Sequence, residues 1–137
     1  MDDISLHLAL HRLERAKEDL SDTELLYNNS KFKSANNRAY YAIFHAIRAV
    51  LALERKDFKR HKDVIAYFNQ HYIKTEVFPK ILGAKIGNAF KTRTDSDYED
   101  EYVIKLEITY NQIETAKMII SLVENYLNDK SKSGGQQ

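Results

Sequence analysis

The sequence predicts an all-α fold, an antiparallel up-and-down bundle of about five helices. The 137-residue chain contains one proline and four glycines, two of them among its last four residues, so little interrupts long helices. Apolar residues recur at spacings of three, four and seven along most of the chain, which is the period of an amphipathic helix. Short polar connections between long helices favour antiparallel neighbours.

The first two predicted helices cover residues 4–29 and 32–54. The apolar positions of the first are Leu6, Leu10, Leu13, Ala16, Leu20 and Tyr27. The second is apolar around most of its circumference, at Ala35, Ala39, Tyr40, Ala42, Ile43, Phe44, Ala46, Ile47, Val50, Leu51 and Leu53. A helix without a wide polar face is buried, so we expect the second helix at the centre of the bundle.

Three shorter or later helices complete the bundle. Val64, Ile65, Phe68 and Tyr72 indicate a short third helix. Phe78 and Pro79 indicate the start of a fourth, because proline is tolerated in the first turn, and this helix should fade near residues 92–96. The apolar positions of the fifth are Leu106, Ile113, Ala116, Ile120, Val123 and Leu127. We expect one domain over residues 4–129 and a flexible tail over residues 130–137.

Composition excludes several classes of protein. The chain has no cysteine, which excludes disulfides, thiolate metal sites and cysteine nucleophiles. No apolar run approaches the ~20 residues of a membrane span, and the acidic N-terminus does not suit a signal peptide, so we expect a cytoplasmic protein. Net charge is +1, so nucleic-acid binding would require a local basic patch. His7 and His11 imply no third ligand, and neither a metal site nor a cofactor is predicted.

One narrow polar stripe interrupts the apolar second helix. Its members, with Asn37 beside them, are Ser34, Arg38, Tyr41, His45 and Arg48. In a structural interpretation the arginines pair with carboxylates on a neighbouring helix, while the tyrosine and histidine are satisfied core residues. In a functional interpretation the stripe lines a cleft, with guanidinium groups for phosphate, a ring for stacking and an imidazole for proton transfer.

Two further segments have the same pair of interpretations. Residues 59–62, Lys-Arg-His-Lys, open the third helix and form the densest basic cluster, which either grips a phosphate or is a solvated loop. In the fourth helix Arg93 and Asp97 are four residues apart, so both could face the cleft, or they form an ordinary ion pair at a solvated helix end.

These segments, in this order, resemble the HEPN domain (higher eukaryotes and prokaryotes nucleotide-binding) in its prokaryotic stand-alone form. The resemblance is carried by residues 37–46 (Asn-Arg-Ala-Tyr-Tyr-Ala-Ile-Phe-His-Ala), by residues 59–61 with the apolar positions after them, and by Arg93 followed by Asp97 and Tyr98. It covers about residues 6–128.

The resemblance implies a helical bundle, often a homodimer, with a cleft for nucleotide or RNA. Many family members are metal-independent endoribonucleases, and several are toxins paired with a small nucleotidyltransferase-fold antitoxin. The residues it implies for nucleotide or RNA binding are Arg38, Tyr41, His45, Arg48, His61, Arg93, Asp97 and Tyr98. For catalysis the candidates are Arg38, His45 and Arg93, with histidine moving a proton and arginine stabilising charge on the phosphate.

The sequence departs from the family's catalytic signature, an arginine followed after four to six residues by a histidine late in the chain. Arg93 is followed by Tyr98 and two acidic residues where the histidine would be required. Arg38 and His45 do have the required spacing, but so do Arg55 and His61 across a predicted helix break. Catalysis therefore stays open.

Three functions remain after this departure. The first is a nucleotide- or RNA-binding HEPN protein, with or without a nucleotidyltransferase partner of the toxin–antitoxin kind. The second is an active metal-independent endoribonuclease, and the third is a non-catalytic dimerisation or scaffold module. Tyr98 is either a site of nucleotide transfer by such a partner or a residue that packs against the last helix.

Overall fold

The computed structural model describes residues 2–98 and 106–135, with side chains described for residues 2–95 and 106–132. These parts form five α-helices and no strand: α1 (Asp3–Asn28), α2 (Phe32–Ala52), α3 (His61–Phe68), α4 (Ile81–Tyr98) and α5 (Leu106–Gly135). The predicted all-α class is confirmed. Over the same residues, none of the helices combines the length and apolar character that crossing a membrane requires.

A cap and a tight turn define the α1–α2 hairpin. The backbone N–H of Ser5 donates to Oδ1 of Asp2 at 2.7 Å, which satisfies a free donor at the start of α1. At the other end Ser30 has a φ of 60°, and the N–H of Lys31 donates to the carbonyl of Leu26 at 2.9 Å. This left-handed residue ends α1 and reverses the chain, so α2 returns antiparallel to α1.

The second helix is central, as predicted, because 13 of its 21 residues are buried. Its alanines at positions 35, 39, 42, 46 and 49 are fully buried. On α1 the buried apolar residues are Ala9, Leu13 and Ala16. Small side chains on both helices let the two backbones approach closely, which explains why α1 and α2 form the main interface.

The apolar face of α1 differs from the predicted one. Leu10 was expected in the core but is 41% exposed, whereas Asp19 and Thr23 are buried. Alanines allow α1 to lie closer to α2, and this turns the face containing residues 9, 16, 19 and 23 inwards. Leu106 was also expected in the core and is 51% exposed in the first turn of α5.

The remaining helices complete an up-down-up-down arrangement. The start of α4 lies beside the segment that follows α3, because a Cβ on Gly83 would be 3.2 Å from Cγ2 of Ile73, and the adjacent Tyr72 donates to Glu54 just after α2. Arg93, near the other end of α4, donates to the hydroxyl of Tyr41 in the middle of α2, so α4 runs antiparallel to α2. Thr109, at the start of α5, donates to the carbonyl of Phe32 at the start of α2 at 3.4 Å. Accordingly α5 runs parallel to α2 and antiparallel to α4.

Three helix ends differ from the sequence prediction. A π-helical turn over Asn69–Ile73 follows α3, closed by the N–H of Lys74 donating to the carbonyl of Asn69 at 2.9 Å. The fourth helix begins at Ile81 instead of residue 78 and continues to Tyr98. The fifth continues to Gly135, beyond the predicted domain end at residue 129. The flexibility of residues 130–137 stays a prediction.

Candidate functional site

A cleft between α2, α3 and α4 collects cationic and aromatic side chains. We call it the Arg93 cleft, and its volume is about 470 Å³. It is lined by Tyr41, Arg60, His61, Lys62, Phe90, Arg93 and Thr94. None of these lining side chains, all in the described part of the chain, is acidic. The lining therefore has a net positive charge and ring faces, which suits an anionic ligand that carries an aromatic group.

Arg93 is held against two tyrosine rings of α2. Its Nη2 donates to the hydroxyl of Tyr41 at 3.2 Å. Its guanidinium carbon lies 5.2 Å from the ring centre of Tyr40 and 5.6 Å from that of Tyr41. Cation–π contacts and the hydrogen bond restrict the long side chain to the cleft wall, so a ligand would meet an already positioned guanidinium group.

His61, the first residue of α3, is packed into the same wall. Its ring stacks on Phe44 with centroids 4.0 Å apart, and its Nδ1 lies 2.9 Å from the hydroxyl of Tyr40. Burial, reinforced by the charges of Arg93 and Arg48, lowers the pKa of His61 below its usual value. At neutral pH His61 is therefore an uncharged imidazole in a fixed orientation.

The two basic residues beside His61 are more exposed. Arg60 donates through Nε to Asp63 at 2.9 Å, and its side chain is 68% exposed. Lys62, the residue that follows His61, is also exposed. The exposed Arg60–Asp63 pair contributes little to stability, so Arg60 can turn towards an anion in the cleft at a small cost in free energy. Lys62 can do the same because its side chain is exposed.

Arg38 and His45 lie outside the cleft lining and share a buried carboxylate on α1. Nη1 of Arg38 donates to Oδ1 of Asp19 at 3.3 Å. Nε2 of His45 lies 3.6 Å from Oδ2 of Asp19, beyond hydrogen-bonding distance. Burial raises the pKa of Asp19, although the charges of Arg38 and Arg15 oppose this effect.

Burial has the largest effect on the pKa of His45. Burial, together with the charge of four arginines, lowers the pKa of His45 from 6.5 to about 4. The four are Arg15, Arg48, Arg38 and Arg12. Its side chain is 14% exposed, so His45 lies in the α1–α2 interface beside Asp19.

Arg48 is engaged at the far end of the stripe. It donates to Asp57 from Nε at 3.3 Å and from Nη2 at 2.6 Å, a two-point pair with a loop carboxylate. Arg12 of α1 donates to the carbonyl of Arg48 at 3.2 Å. Arg38 and Arg48 thus both pair with carboxylates, as the structural interpretation of the stripe expects, but the partner of Arg48 lies in the α2–α3 loop instead of on a helix.

Tyr41 connects the stripe to the cleft. The guanidinium carbon of Arg38 lies 5.0 Å from its ring centre, and Arg93 contacts the same ring. Arg38 and Arg93 therefore both contact the ring of Tyr41. Of the predicted binding residues, the structure brings Tyr41, His61 and Arg93 together in the cleft and places Arg38 beside them.

Comparison with known proteins identifies the family of the chain. A sequence model of the HEPN domain matches residues 9–126.

The chain belongs to the HEPN family.

A UPF0332 protein of Thermotoga maritima is 32% identical over 119 residues, which cover 87% of this chain and 90% of the relative. Two relatives from Methanocaldococcus jannaschii are each named "Putative toxin". One is 27% identical over 124 residues, 90% of this chain and 84% of its own. The other is 29% identical over 117 residues, 85% of this chain and 87% of its own.

Two predicted residues of this HEPN chain cannot be placed. The helix α4 continues through Asp97 and Tyr98, but the side chains of both lie outside the described residues. Their roles, including modification of Tyr98, stay predictions. Over the side chains that are described, no group of three or more His, Cys, Asp or Glu residues could hold a metal ion.

Sequence reasoning missed three residues around the stripe and the cleft. Tyr40 was assigned to the apolar face of the second helix and Phe90 was not singled out, and only the approach of α4 to α2 makes them neighbours, with ring centroids 6.2 Å apart. Asp19 had a usable signal. It follows Ala16 by three residues and precedes Thr23 by four, so it lies on the face of α1 that turns inwards.

Proposed function

We propose that this HEPN protein is a toxin-type module that binds nucleotide or RNA, with a phosphate group in the Arg93 cleft. The observation that supports this most is the composition of the cleft, in which Arg60, Lys62 and Arg93 surround aromatic side chains. Guanidinium and ammonium groups match phosphate oxygens, and an exposed ring can stack on a base. The two "Putative toxin" relatives support the toxin assignment.

The proposal includes the setting that the family resemblance implies. We propose a cytoplasmic homodimer that works beside a small nucleotidyltransferase. Sedimentation of the purified chain tests the dimer directly. Co-expression with a small nucleotidyltransferase, followed by mass spectrometry of the intact chain, tests both the partnership and nucleotide transfer to Tyr98.

Binding is tested with a fluorescent single-stranded RNA and with AMP as competitor. Arg93→Gln should weaken RNA binding about tenfold or more, because a hydrogen bond to a charged group contributes about 1.5–3 kcal/mol. Lys62→Gln should weaken it less and lower the dependence of log K on log salt by about 0.7, the value for one phosphate contact on a single strand.

A matched control separates the cleft from general charge. Lys117 lies exposed on α5, 3.8 Å from Glu114, and does not line the cleft. If Lys117→Gln weakens binding as much as Lys62→Gln does, the affinity comes from the overall charge and the cleft assignment is wrong.

A second candidate, the metal-independent ribonuclease, has one observation in its favour. His61 lines the same cleft as Arg93, and in a ribonuclease this histidine from α3 would supply the proton transfer that no histidine after Arg93 provides. Incubation of wild type and His61→Gln with total cellular RNA in EDTA tests it. Cleavage at discrete sites by wild type alone would establish the enzyme, and intact RNA with both proteins would leave binding as the function.

A further inference from the structure

The contact between Tyr40 and His61 determines what the Arg93 cleft offers to a ligand. Tyr40 is 2% exposed, and its hydroxyl lies 2.9 Å from Nδ1 of His61. The imidazole is held between this hydroxyl and the face of Phe44, so its position is fixed from two directions. The ring nitrogen that does not contact Tyr40 is Nε2.

The direction of this hydrogen bond follows from the partners of each group. A neutral imidazole carries one N–H and one lone pair, and a tyrosine hydroxyl can donate or accept. Among the described residues, Nδ1 of His61 is the one hydrogen-bonding partner of the Tyr40 hydroxyl. If Nδ1 carried the proton, the hydroxyl proton of Tyr40 would be buried without an acceptor, which is unfavourable.

We propose that Tyr40 is a positioning residue that donates its hydroxyl proton to Nδ1 of His61 and so makes His61 present an N–H, at Nε2, to the Arg93 cleft. Burial raises the pKa of Tyr40 well above its usual value, so the hydroxyl keeps the proton that it donates. The charged and titratable groups around the imidazole include Arg93, Arg48, Tyr40 and Tyr41, and its chain neighbours Arg60 and Lys62 line the same cleft.

The cleft then consists of hydrogen-bond donors. Arg60, Lys62 and Arg93 can only donate, and Nε2 of His61, on the same helix as Lys62, joins them as a fourth donor. The hydroxyl of Tyr41 accepts from Arg93, which leaves its own proton for another acceptor. A set of donors suits the oxygens of a phosphate, and it does not suit a group that must give up a proton to His61.

This inference has one part that rests on the proposed function and one that does not. The tautomer of His61 is a property of the free protein, while its use in recognition requires phosphate binding. The tautomer also limits which reaction His61 can catalyse, because an imidazole with a proton on Nε2 cannot take a proton from a 2′-hydroxyl through that nitrogen. The geometry therefore favours phosphate binding over general-base cleavage by His61.

The tautomer is measured by long-range ¹H–¹⁵N correlation on the ¹⁵N-labelled chain at neutral pH. Comparison with His61→Gln assigns the His61 signals among the five histidines. We expect wild type to show the Nε2–H form and Tyr40→Phe to show a mixture of both tautomers. A wild-type spectrum with Nδ1–H, or an unchanged tautomer in Tyr40→Phe, overturns the inference. The wild-type spectrum suffices even if Tyr40→Phe is poorly folded.

The consequence for recognition is measured by titration with inorganic phosphate and with AMP. Tyr40→Phe should weaken binding about three- to tenfold, the effect of one hydrogen bond. His61→Gln should retain more affinity than His61→Leu, because glutamine keeps an N–H donor. The control is Tyr72→Phe, which removes another buried hydroxyl, one that donates to Glu54 and does not line the cleft.

The titration separates the two proposals. If wild type shows the Nε2–H form and binds neither phosphate nor AMP, the proposed function fails and the positioning role of Tyr40 stands. If both probes bind and His61→Leu binds as well as His61→Gln, the cleft holds phosphate without His61, and the recognition part of this inference is wrong.

Discussion

Replacing His45 by glutamine should change how the stability of the fold depends on pH. His45 lies in the α1–α2 interface, 14% exposed and 3.6 Å from Asp19. Its surroundings contain four arginines, and burial with these charges lowers its pKa from 6.5 to about 4. Glutamine keeps a polar side chain of similar length and cannot titrate.

The sign follows from proton binding. Between pH 6.5 and 4 the unfolded chain binds a proton at residue 45 and the folded chain does not, so the free energy of unfolding falls as the pH falls. At about 1.4 kcal/mol for each pH unit, a difference of 6.5 to about 4 corresponds to about 3 kcal/mol. The contribution is fully present at pH 7 and is lost as the pH approaches 4.

The assay is urea unfolding followed by circular dichroism at pH 7, 6, 5 and 4. Because other carboxylates titrate in both proteins, the useful quantity is the free energy of unfolding of wild type minus that of His45→Gln. We expect this difference to fall by about 3 kcal/mol from pH 7 to pH 4. As a control, His11→Gln replaces an exposed histidine of α1 and should change stability by less than about 0.5 kcal/mol.

Asp19 provides the alternative that would refute this reasoning. If its carboxylate outweighs burial and the four arginines, protonated His45 is stabilised in the folded state and its pKa lies above 6.5. The difference between wild type and His45→Gln would then increase on acidification. A flat difference would mean that His45 has the same pKa in the folded and unfolded states, which contradicts its burial.

Two further substitutions test the packing. Burial raises the pKa of Asp19, so the folded state disfavours its charge, and Asp19→Asn, whose Oδ1 can still accept from Arg38, should change the free energy of unfolding by less than about 0.5 kcal/mol or raise it. Burial opposes the charge of Asp57 too, but hydrogen bonds from Arg48 and Phe58 lower its pKa, so Asp57→Asn should lower the free energy of unfolding by about 0.5–1 kcal/mol. A larger loss for Asp19→Asn than for Asp57→Asn in urea unfolding would contradict the burial argument. Gly87→Ala should raise the free energy of unfolding by about 0.5–1 kcal/mol, because alanine favours the helix and its Cβ would have nothing within 4 Å. Gly83→Ala should raise the free energy of unfolding less than Gly87→Ala does, because its Cβ would lie 3.2 Å from Cγ2 of Ile73. An equal rise in melting temperature for both variants would show that this contact relaxes freely.

The sequence by itself determined the helices and the position of α2 in the bundle. Periodicity is a local property, so it identifies a helix and its buried face without knowledge of the partner. It was least accurate where the partner matters, as at Leu10, which the close approach of α1 to α2 leaves exposed. Helix ends depended on turn geometry, such as the left-handed Ser30, and were predicted within a few residues.

Only the tertiary structure determined which polar residues of the α2 stripe lie beside α1 and which line the Arg93 cleft. Arg38, Tyr41 and His45 form one stripe in the sequence, yet Arg38 donates to Asp19 of α1, His45 lies beside the same carboxylate, and Tyr41 accepts from Arg93 of α4. Which histidine joins Arg93 depends on where α3 and α4 pack against α2, and no spacing within a single helix contains that information. The tautomer of His61 likewise depends on a hydroxyl from another helix. Such groups meet only when the core brings their helices together.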